Sequence, residues 1–372
     1  MLRIGITGQA GFVGKHLFNT LGLYSTEFER ICFDKAWFDS EQLLDRFVEQ
    51  CDVIVHLAGM NRHNDPQVIY ETNIALSKKL AASLVRCNSR AHILFSSSTQ
   101  EERDNLYGQS KMAGRKILAE WAAGHGGRFT GLVIPNVFGP FGHPYYNSVI
   151  ATFCHQLSHN ETPRIDVDGD LKLIYVGELV AVMLDCIRTG KVADSLPVAP
   201  TKEAKVSEIL QLLQGYRDQY QVNGVIPPLG NNFEQNLFNT YRCYMDIKNH
   251  FPVHFKKHTD PRGDFVEVIR INTGGQVSFS TTVPGITRGN HFHTRKIERF
   301  AVIRGKALIQ LRQVGTDEVI DFHLSGDAPA FVDMPVWYTH NIKNTGDEEL
   351  LTIFWINEFF NPADPDTYME TV

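Results

Sequence analysis

Two groups of residues have types and spacings that could do chemistry. Tyr107-Gly108-Gln109-Ser110-Lys111 sets a phenol and an ammonium four positions apart. On a helix both share one face. A lysine in that place lowers the phenol pKa from its usual ~10 and makes it a better proton donor near neutrality. Upstream, Ile93-Leu94-Phe95-Ser96-Ser97-Ser98 reads as a strand. Its last hydroxyl, Ser98, can hydrogen-bond the same substrate oxygen that Tyr107 would protonate. The second group is Gly285-x5-His291-x-His293-x4-Glu298-x6-Gly305, followed by Pro335-x4-His340-x3-Asn344. On a strand His291 and His293 project to the same side. Neutral imidazoles from His291, His293 and His340 with the Glu298 carboxylate suit a divalent transition metal such as zinc, with open positions for substrate or water. The competing reading has the histidines binding polar groups of a substrate, or acting as bases, without a metal.

A third pattern, Thr7-Gly8-Gln9-Ala10-Gly11-Phe12-Val13-Gly14, follows a strand-like run and opens a helix. Glycines there let backbone N–H groups approach a pyrophosphate that a Cβ would keep away. The pattern predicts a dinucleotide site built on Gly8, Gly11, Phe12, Val13 and Gly14. About twenty residues on, Asp34 favours an unphosphorylated ribose, while the adjacent Lys35 favours a 2′-phosphate. The residues alone leave NAD and NADP open.

The elements that must position these groups follow from periodicity. Ile4–Thr7, Ile31–Phe33, Val53–Leu57 and Ile93–Ser96 alternate with helical patterns from about Phe12, over Asn73–Cys87 and over Ser110–Ala123. Strands separated by helices predict a Rossmann-type α/β domain, a parallel sheet covered on both faces. Lys205–Tyr220 reads as one more amphipathic helix, and Pro227–Asn232 as a loop. From about Phe265 the chain turns to short alternating strands punctuated by glycine, the texture of an all-β sandwich or barrel. The expected division is 1–246 and 247–372. With 372 residues, 43% hydrophobic and 21% charged, the chain can build large cores. Its net charge of −6 supplies no basic field for nucleic acid. No apolar run reaches the roughly 18 residues of a membrane span, and the expectation is a cytoplasmic protein without nucleic-acid or membrane partners. The six cysteines carry no CxxC pair, so free thiols are expected.

Residues 1 to about 246 resemble the extended short-chain dehydrogenases/reductases, the family of nucleotide-sugar epimerases and reductases. The TGxxGFVG turn, Asp52, His56-Leu57-Ala58-Gly59, Asn73, the FSSS strand, YxxxK and Pro135-Asn136-Val137-Phe138-Gly139-Pro140 match it in order. The resemblance implies that Tyr107 delivers a proton, Lys111 binds the nicotinamide ribose and Ser98 orients a carbonyl. It also implies that Asp52, Leu57, Ala58, Gly59, Asn73 and Asn136 lie near the cofactor. Val133 replaces an arginine common three residues before that asparagine.

Residues from about 260 resemble the cupins, whose double-stranded β-helix, or jelly-roll, is the fold implied. Trp337 stands where a glycine is common, a change that could narrow the mouth or close a metal position. Asp260-Pro261-Arg262-Gly263-Asp264-Phe265-Val266-Glu267 and Arg288-Gly289-Asn290-His291 are also similar to dTDP-4-dehydrorhamnose 3,5-epimerases, in which the aligned histidine is a base. His291 is therefore a ligand or a base.

The whole chain resembles the bifunctional capsule and O-antigen enzymes of UDP-N-acetyl-L-fucosamine synthesis. That resemblance implies C3 epimerisation of a UDP-2-acetamido-2,6-dideoxy-hexos-4-ulose in the cupin domain, then C4 reduction to UDP-2-acetamido-2,6-dideoxy-β-L-talose. It favours NADP(H) over NAD(H), a zinc-type metal, a UDP-linked 4-keto-6-deoxy-N-acetylaminosugar as partner, and a homodimer or other homo-oligomer. Two rival functions are a dehydratase or 4-epimerase with a structural cupin, and a non-enzymatic sugar-nucleotide sensor.

Overall fold

Four amino-terminal strands, Leu2–Thr7, Val53–His56, His92–Ser98 and Arg128–Ile134, bury most of their side chains, so each must be covered on both faces. The computed structural model describes residues 1–372 and divides them into two compact units, Met1–Thr152 with Val167–Val206, and Phe153–Asp166 with Ser207–Val372. In the first unit the strands are β1 (Leu2–Thr7), β2 (Phe28–Ile31), β3 (Val53–His56), β4 (His92–Ser98), β5 (Arg128–Ile134), β6 (Asn136–Phe138), β7 (Asp170–Tyr175), β8 (Ala193–Pro197) and β9 (Lys202–Lys205). The helices are α1 (Phe12–Gly22), α2 (Glu41–Gln50), α3 (Pro66–Arg86), α4 (Leu106–His125), α5 (Val149–Ser158), which ends in the second unit, and α6 (Val176–Thr189).

The main sheet has the order β2-β1-β3-β4-β5-β8, all pairs parallel. Alternation along the strands sends Ile4, Ile6, Val53, Val55 and Leu94 into one core with α1 and α6. Ile54, Ile93 and Phe95 go to the other face, with α2, α3 and α4. This is the fully buried parallel sheet that the alternating pattern predicts. One strand differs from the expectation. β2 runs Phe28–Ile31, because Phe28 is the buried anchor while Phe33 turns away to meet Phe38 and Phe47 with ring centroids 5.2 and 4.7 Å apart.

The second unit holds α7 (Val206–Tyr216), α8 (Asn232–Arg242) and α9 (Ile247–His250), then β10 (Val253–His254), β11 (Lys257–Asp260), β12 (Gly263–Val266), β13 (Gln276–Thr282) and β14 (Thr287–Phe292). It continues through β15 (Glu298–Arg304), β16 (Lys306–Gln313), β17 (Val319–Ser325), β18 (Ala330–Met334), β19 (Tyr338–Asn344), β20 (Leu350–Ile356) and β21 (Tyr368–Met369). Two five-stranded antiparallel sheets, β10-β18-β15-β20-β13 and β17-β16-β19-β14-β21, form a cupin-like sandwich. Phe300, Val302, Ile309, Leu311 and Ile342 fill its core.

The helical stretch before the strands belongs to this unit, which moves the division from the expected 246/247 to residues 206/207. The reason is a buried polar contact set. Tyr220 Oη donates to Asp333 Oδ2 at 2.7 Å, Arg242 Nη2 to the Met334 carbonyl at 2.8 Å, and Arg299 Nε to Asp333 Oδ1 at 2.7 Å. A carboxylate so deep in the sheet requires the Tyr220 and Arg299 donors. No helix is long and apolar enough to cross a membrane.

Candidate active site and metal centre

In the first unit, the carboxyl ends of β1, β3, β4 and β5 carry the residues of interest. Gly8 follows β1 with φ +80°, and a Cβ there would lie 2.8 Å from the Ala58 nitrogen. On Gly14 a Cβ would sit 2.3 Å from the Gly8 carbonyl oxygen, so α1 starts directly on the turn. The N-cap of α1 is Gly11, which brings no side chain to the helix end. The first amide groups of α1, with Phe12 and Val13 among them, are thus uncapped by side chains, and no acid stands in the first turn. A dinucleotide pyrophosphate fits that end.

Leu57 N donates to the Thr7 carbonyl at 3.0 Å and Ala58 N to Thr7 Oγ1 at 3.5 Å, locking β3 to the turn. Phe33 N donates to Gln9 Oε1 at 3.2 Å and so brings the Asp34–Lys35 corner to the same edge. The Asp34 carboxylate accepts from Ala36 N at 2.8 Å, and both Asp34 and Lys35 are exposed. Asn73 accepts from Met60 N at 2.7 Å and donates to Ser110 Oγ at 3.0 Å, which fixes the Leu57–Met60 loop against α3 and α4. A Cβ on Gly59 would lie 3.3 Å from Lys111 Nζ. Asn136 lies two residues past Ile134, the register partner of Ser98.

Asp52 is not among them. It precedes β3, at the amino end of the sheet, where its carboxylate takes Arg3 N at 2.9 Å and Arg3 Nη2 at 2.8 Å. Four strand residues at ~3.3 Å each separate it from the cofactor edge. The structure assigns Asp52 to a salt bridge and corrects its place near the cofactor.

Tyr107 and Lys111 stand in the first turns of α4, and the Lys111 ammonium lies 5.9 Å from the Tyr107 ring centroid. Ser98 ends β4 beside the phenol, its hydroxyl accepting from Gln100 N at 3.2 Å. Gly108 permits this approach, since a Cβ there would lie 1.9 Å from the Gln100 carbonyl oxygen. Burial pushes the Tyr107 phenol up to about 12, with Ser98 acting in the opposite direction. The drop expected from Lys111 is absent; its ammonium donates to the Ser96 carbonyl at 3.0 Å. Burial lowers Lys111 itself to about 8, and Glu101 works against that shift. A phenol held neutral beside an ammonium is a proton donor at pH 7.

The second unit gathers His291, His293, Glu298 and His340, with one ligand atom of each within 4.8 Å of the others. Glu298 Oε2 lies 3.1 Å from His293 Nε2, 3.1 Å from His340 Nε2 and 4.0 Å from His291 Nε2. A β-bulge at Asn290, whose φ is +60°, re-aims β14 just before His291. Burial would raise the Glu298 carboxyl, but the His293 and His340 imidazoles against it outweigh that and hold it well below the usual range. Burial and His340 lower His291 to about 4.

The donor set itself tests the fit of a metal. His293 Nδ1 faces the Asp366 carbonyl at 2.5 Å and His340 Nδ1 faces the Tyr338 carbonyl at 3.1 Å. A carbonyl only accepts, so both rings carry hydrogen on Nδ1, and as neutral imidazoles they turn a bare Nε2 toward a carboxylate that also only accepts. A cation among these atoms resolves that clash. The ~2.0–2.1 Å arms of a tetrahedral zinc give donor spacings of about 3.3 Å, near the 3.1 Å from Glu298 Oε2 to His293 Nε2 and to His340 Nε2, whereas His291 Nε2 lies farther out at 4.0 Å. The group fits.

A cavity of about 430 Å³ opens beside the centre, lined by His291, Glu298, Arg288, Ser280, Phe300 and Phe360 among others. Trp337 neither narrows this mouth nor closes a metal position. It adopts φ +62°, the backbone that glycine would serve, and stacks on Phe292 with centroids 5.5 Å apart. Sequence reasoning missed Asp366 as a neighbour of His293 and Gly108 as the contact that seats Tyr107; no spacing signal links Asp366 to residues 73 positions away.

Comparison with known proteins defines the class. Residues 4–199 match the NAD dependent epimerase/dehydratase family and residues 258–368 the polysaccharide biosynthesis C-terminal domain. The chain belongs to the NAD dependent epimerase/dehydratase family, as an NAD(P)H-dependent oxidoreductase with an added β domain. Among its relatives, the UDP-2-acetamido-2,6-beta-L-arabino-hexul-4-ose reductase of Pseudomonas aeruginosa is 32% identical over 99% of this chain and 98% of its own. The crystal structure of the capsular polysaccharide assembling protein CapF from Staphylococcus aureus is 37% identical, with all of both chains covered and a TM-score of 0.63. The RMD structure from Pseudomonas aeruginosa complexed with NADPH is 22% identical over 59% of this chain and 83% of its own, with a TM-score of 0.53, and shares the fold.

Proposed function

We propose that this protein is a bifunctional nucleotide-sugar enzyme. The cupin unit inverts C3 of a UDP-2-acetamido-2,6-dideoxy-hexos-4-ulose, and the dinucleotide unit then reduces its C4 ketone with NADPH to UDP-2-acetamido-2,6-dideoxy-β-L-talose, a precursor of UDP-N-acetyl-L-fucosamine. The observation that carries the reading is the seating of Ser98, Tyr107 and Lys111 at the carboxyl edge of the sheet in a chain aligned end to end with a 4-ulose reductase.

Once bound, the nicotinamide supplies hydride to C4 and a zinc-type metal polarises the C4 oxygen. Gly8, Gly11 and Gly14 receive the pyrophosphate, with Phe12, Val13, Leu57, Ala58, Gly59, Asn73 and Asn136 around the cofactor. Lys35 at the ribose corner favours the 2′-phosphate. Ser98 orients the ketone and Tyr107 gives its phenolic proton to the C4 oxygen. Lys111 holds the ribose and keeps positive charge beside the phenol.

In the cupin unit His293, Glu298 and His340 would hold the metal. His291 lies farthest from Glu298 and is the only imidazole that lines the cavity. It takes the C3 proton, which the C4 carbonyl acidifies; the electron pair moves onto the C4 oxygen, and a proton returns to the opposite face of C3. Reduction removes the activating carbonyl, so epimerisation comes first. The same reading places the enzyme in the cytoplasm as a homo-oligomer.

The test is the full-length protein with the 4-keto UDP-sugar and NADPH. NADPH should be oxidised with one L-talo product by NMR, and Tyr107→Phe should slow oxidation by ~10²–10⁴-fold while still binding NADPH. Recycling of the cofactor with no net oxidation would establish the dehydratase or 4-epimerase rival instead.

A further inference from the structure

The carboxyl-terminal tail is tied into the metal centre by one buried residue. Asp366 is 2% exposed although it stands six positions from Val372. Its carboxylate gathers three consecutive backbone amides, Thr294 N at 3.1 Å, Arg295 N at 3.0 Å and Lys296 N at 3.0 Å, and the Thr294 hydroxyl at 2.6 Å. These amides begin the loop that joins His293 to Glu298. Its carbonyl faces His293 Nδ1 at 2.5 Å. Its φ of +40° turns the carbonyl and the carboxylate toward the same loop, a conformation that aspartate and asparagine tolerate better than most residues.

The tail is anchored on both sides of this residue. Lys296 Nζ donates to the Pro365 carbonyl at 2.6 Å, and Met369 and Tyr368 pair with His291 and Phe292 in β14. Arg312 donates to Glu370 at 2.8 Å. One residue therefore fixes the tautomer of one ligand through its carbonyl, and the loop between two ligands through its side chain.

We infer that Asp366 is the positioning residue of this centre, holding His293 with Nδ1 protonated and Nε2 toward the ion while its carboxylate clamps the 294–296 amides. This rests on the reading of His291, His293, Glu298 and His340 as a metal centre. Partners of this kind set metal affinity by 10–100-fold in other proteins (about that range on substitution).

The experiment titrates Zn²⁺ into the metal-stripped full-length protein against a chromophoric chelator and records the visible spectrum of the Co²⁺-substituted form. Asp366→Ala should weaken Zn²⁺ binding by roughly 10–100-fold and move the Co²⁺ spectrum toward that of His293→Ala, with NADPH binding unchanged. Asp366→Asn keeps the shape, the φ preference and one acceptor oxygen, and should fall between wild type and alanine; it serves as the test if the alanine variant fails to fold. A purely structural role would lower the unfolding midpoint but leave the spectrum of bound Co²⁺ as in wild type. Wild-type affinity and spectrum in the folded variants overturn the inference alone. Wild-type protein that takes up no Zn²⁺ overturns the metal reading, and this inference with it.

Discussion

At the scale of single residues, the proposed function has the Tyr107 phenol and the ammonium beside it set how the rate depends on pH. Lys111 is lowered to about 8 by burial, whereas Tyr107 is raised to about 12. The charged lysine is present below pH 8 and the neutral phenol up to far higher pH. The kcat/KM for reduction should therefore be level from pH 6.5 to 7.5 and decline as pH rises through about 8. A profile still flat at pH 9.5 would mean that the Lys111 charge has no part in the step. Much of this chemistry was legible in the sequence because it is local: a four-residue spacing puts Tyr107 and Lys111 on one helix face, and HxH on a strand puts two imidazoles on one side. Asp52 was misread because its neighbours in sequence are cofactor residues, while strand direction carries it to the opposite edge, beside Arg3. Asp366 was illegible as a partner of His293, since a contact made through a backbone carbonyl leaves no side-chain signature.

At the scale of elements, the reductase site depends on how closely α4 approaches the end of β4. Gly108→Ala would force a methyl against the Gln100 carbonyl and swing Tyr107 off the Ser98 hydroxyl. Reduction should fall by about tenfold or more, with exchange at C3 in the other unit unchanged; equal loss of both would show global unfolding instead. In the β unit, Arg299 and Asp333 are a cross-strand pair of β15 and β18 with side chains 2% and 0% exposed. Arg299→Met leaves a buried carboxylate with Tyr220 as its remaining neutral donor, and should cost the unit ~3–5 kcal/mol in urea unfolding. A loss below about 1 kcal/mol would mean that the pair is no more than a surface-type bridge. Element types were readable from periodicity, as with α3, α4 and the change to strands past Phe265. Boundaries were not: β2 shifted because burial of Phe28 outweighs the apolar look of Ile31–Phe33. The division moved because Tyr220 and Arg242 donate to acceptors more than 90 positions away, which no window of sequence displays.

At the scale of the whole molecule, the proposed function joins two chemistries through one carbonyl, which would acidify C3 in the cupin unit and be consumed by hydride in the other. A chain that carries both sites needs them to be separable in time and in substitution. The most direct measurement incubates the protein with the 4-keto UDP-sugar in deuterium oxide, first without and then with NADPH, and follows C3 by NMR. The account predicts deuterium at C3 before any cofactor is added, retained in Tyr107→Phe and lost in His291→Gln, followed by reduction once NADPH enters. Absence of label at C3 in the wild-type protein, or label that enters only together with NADPH oxidation, would contradict it.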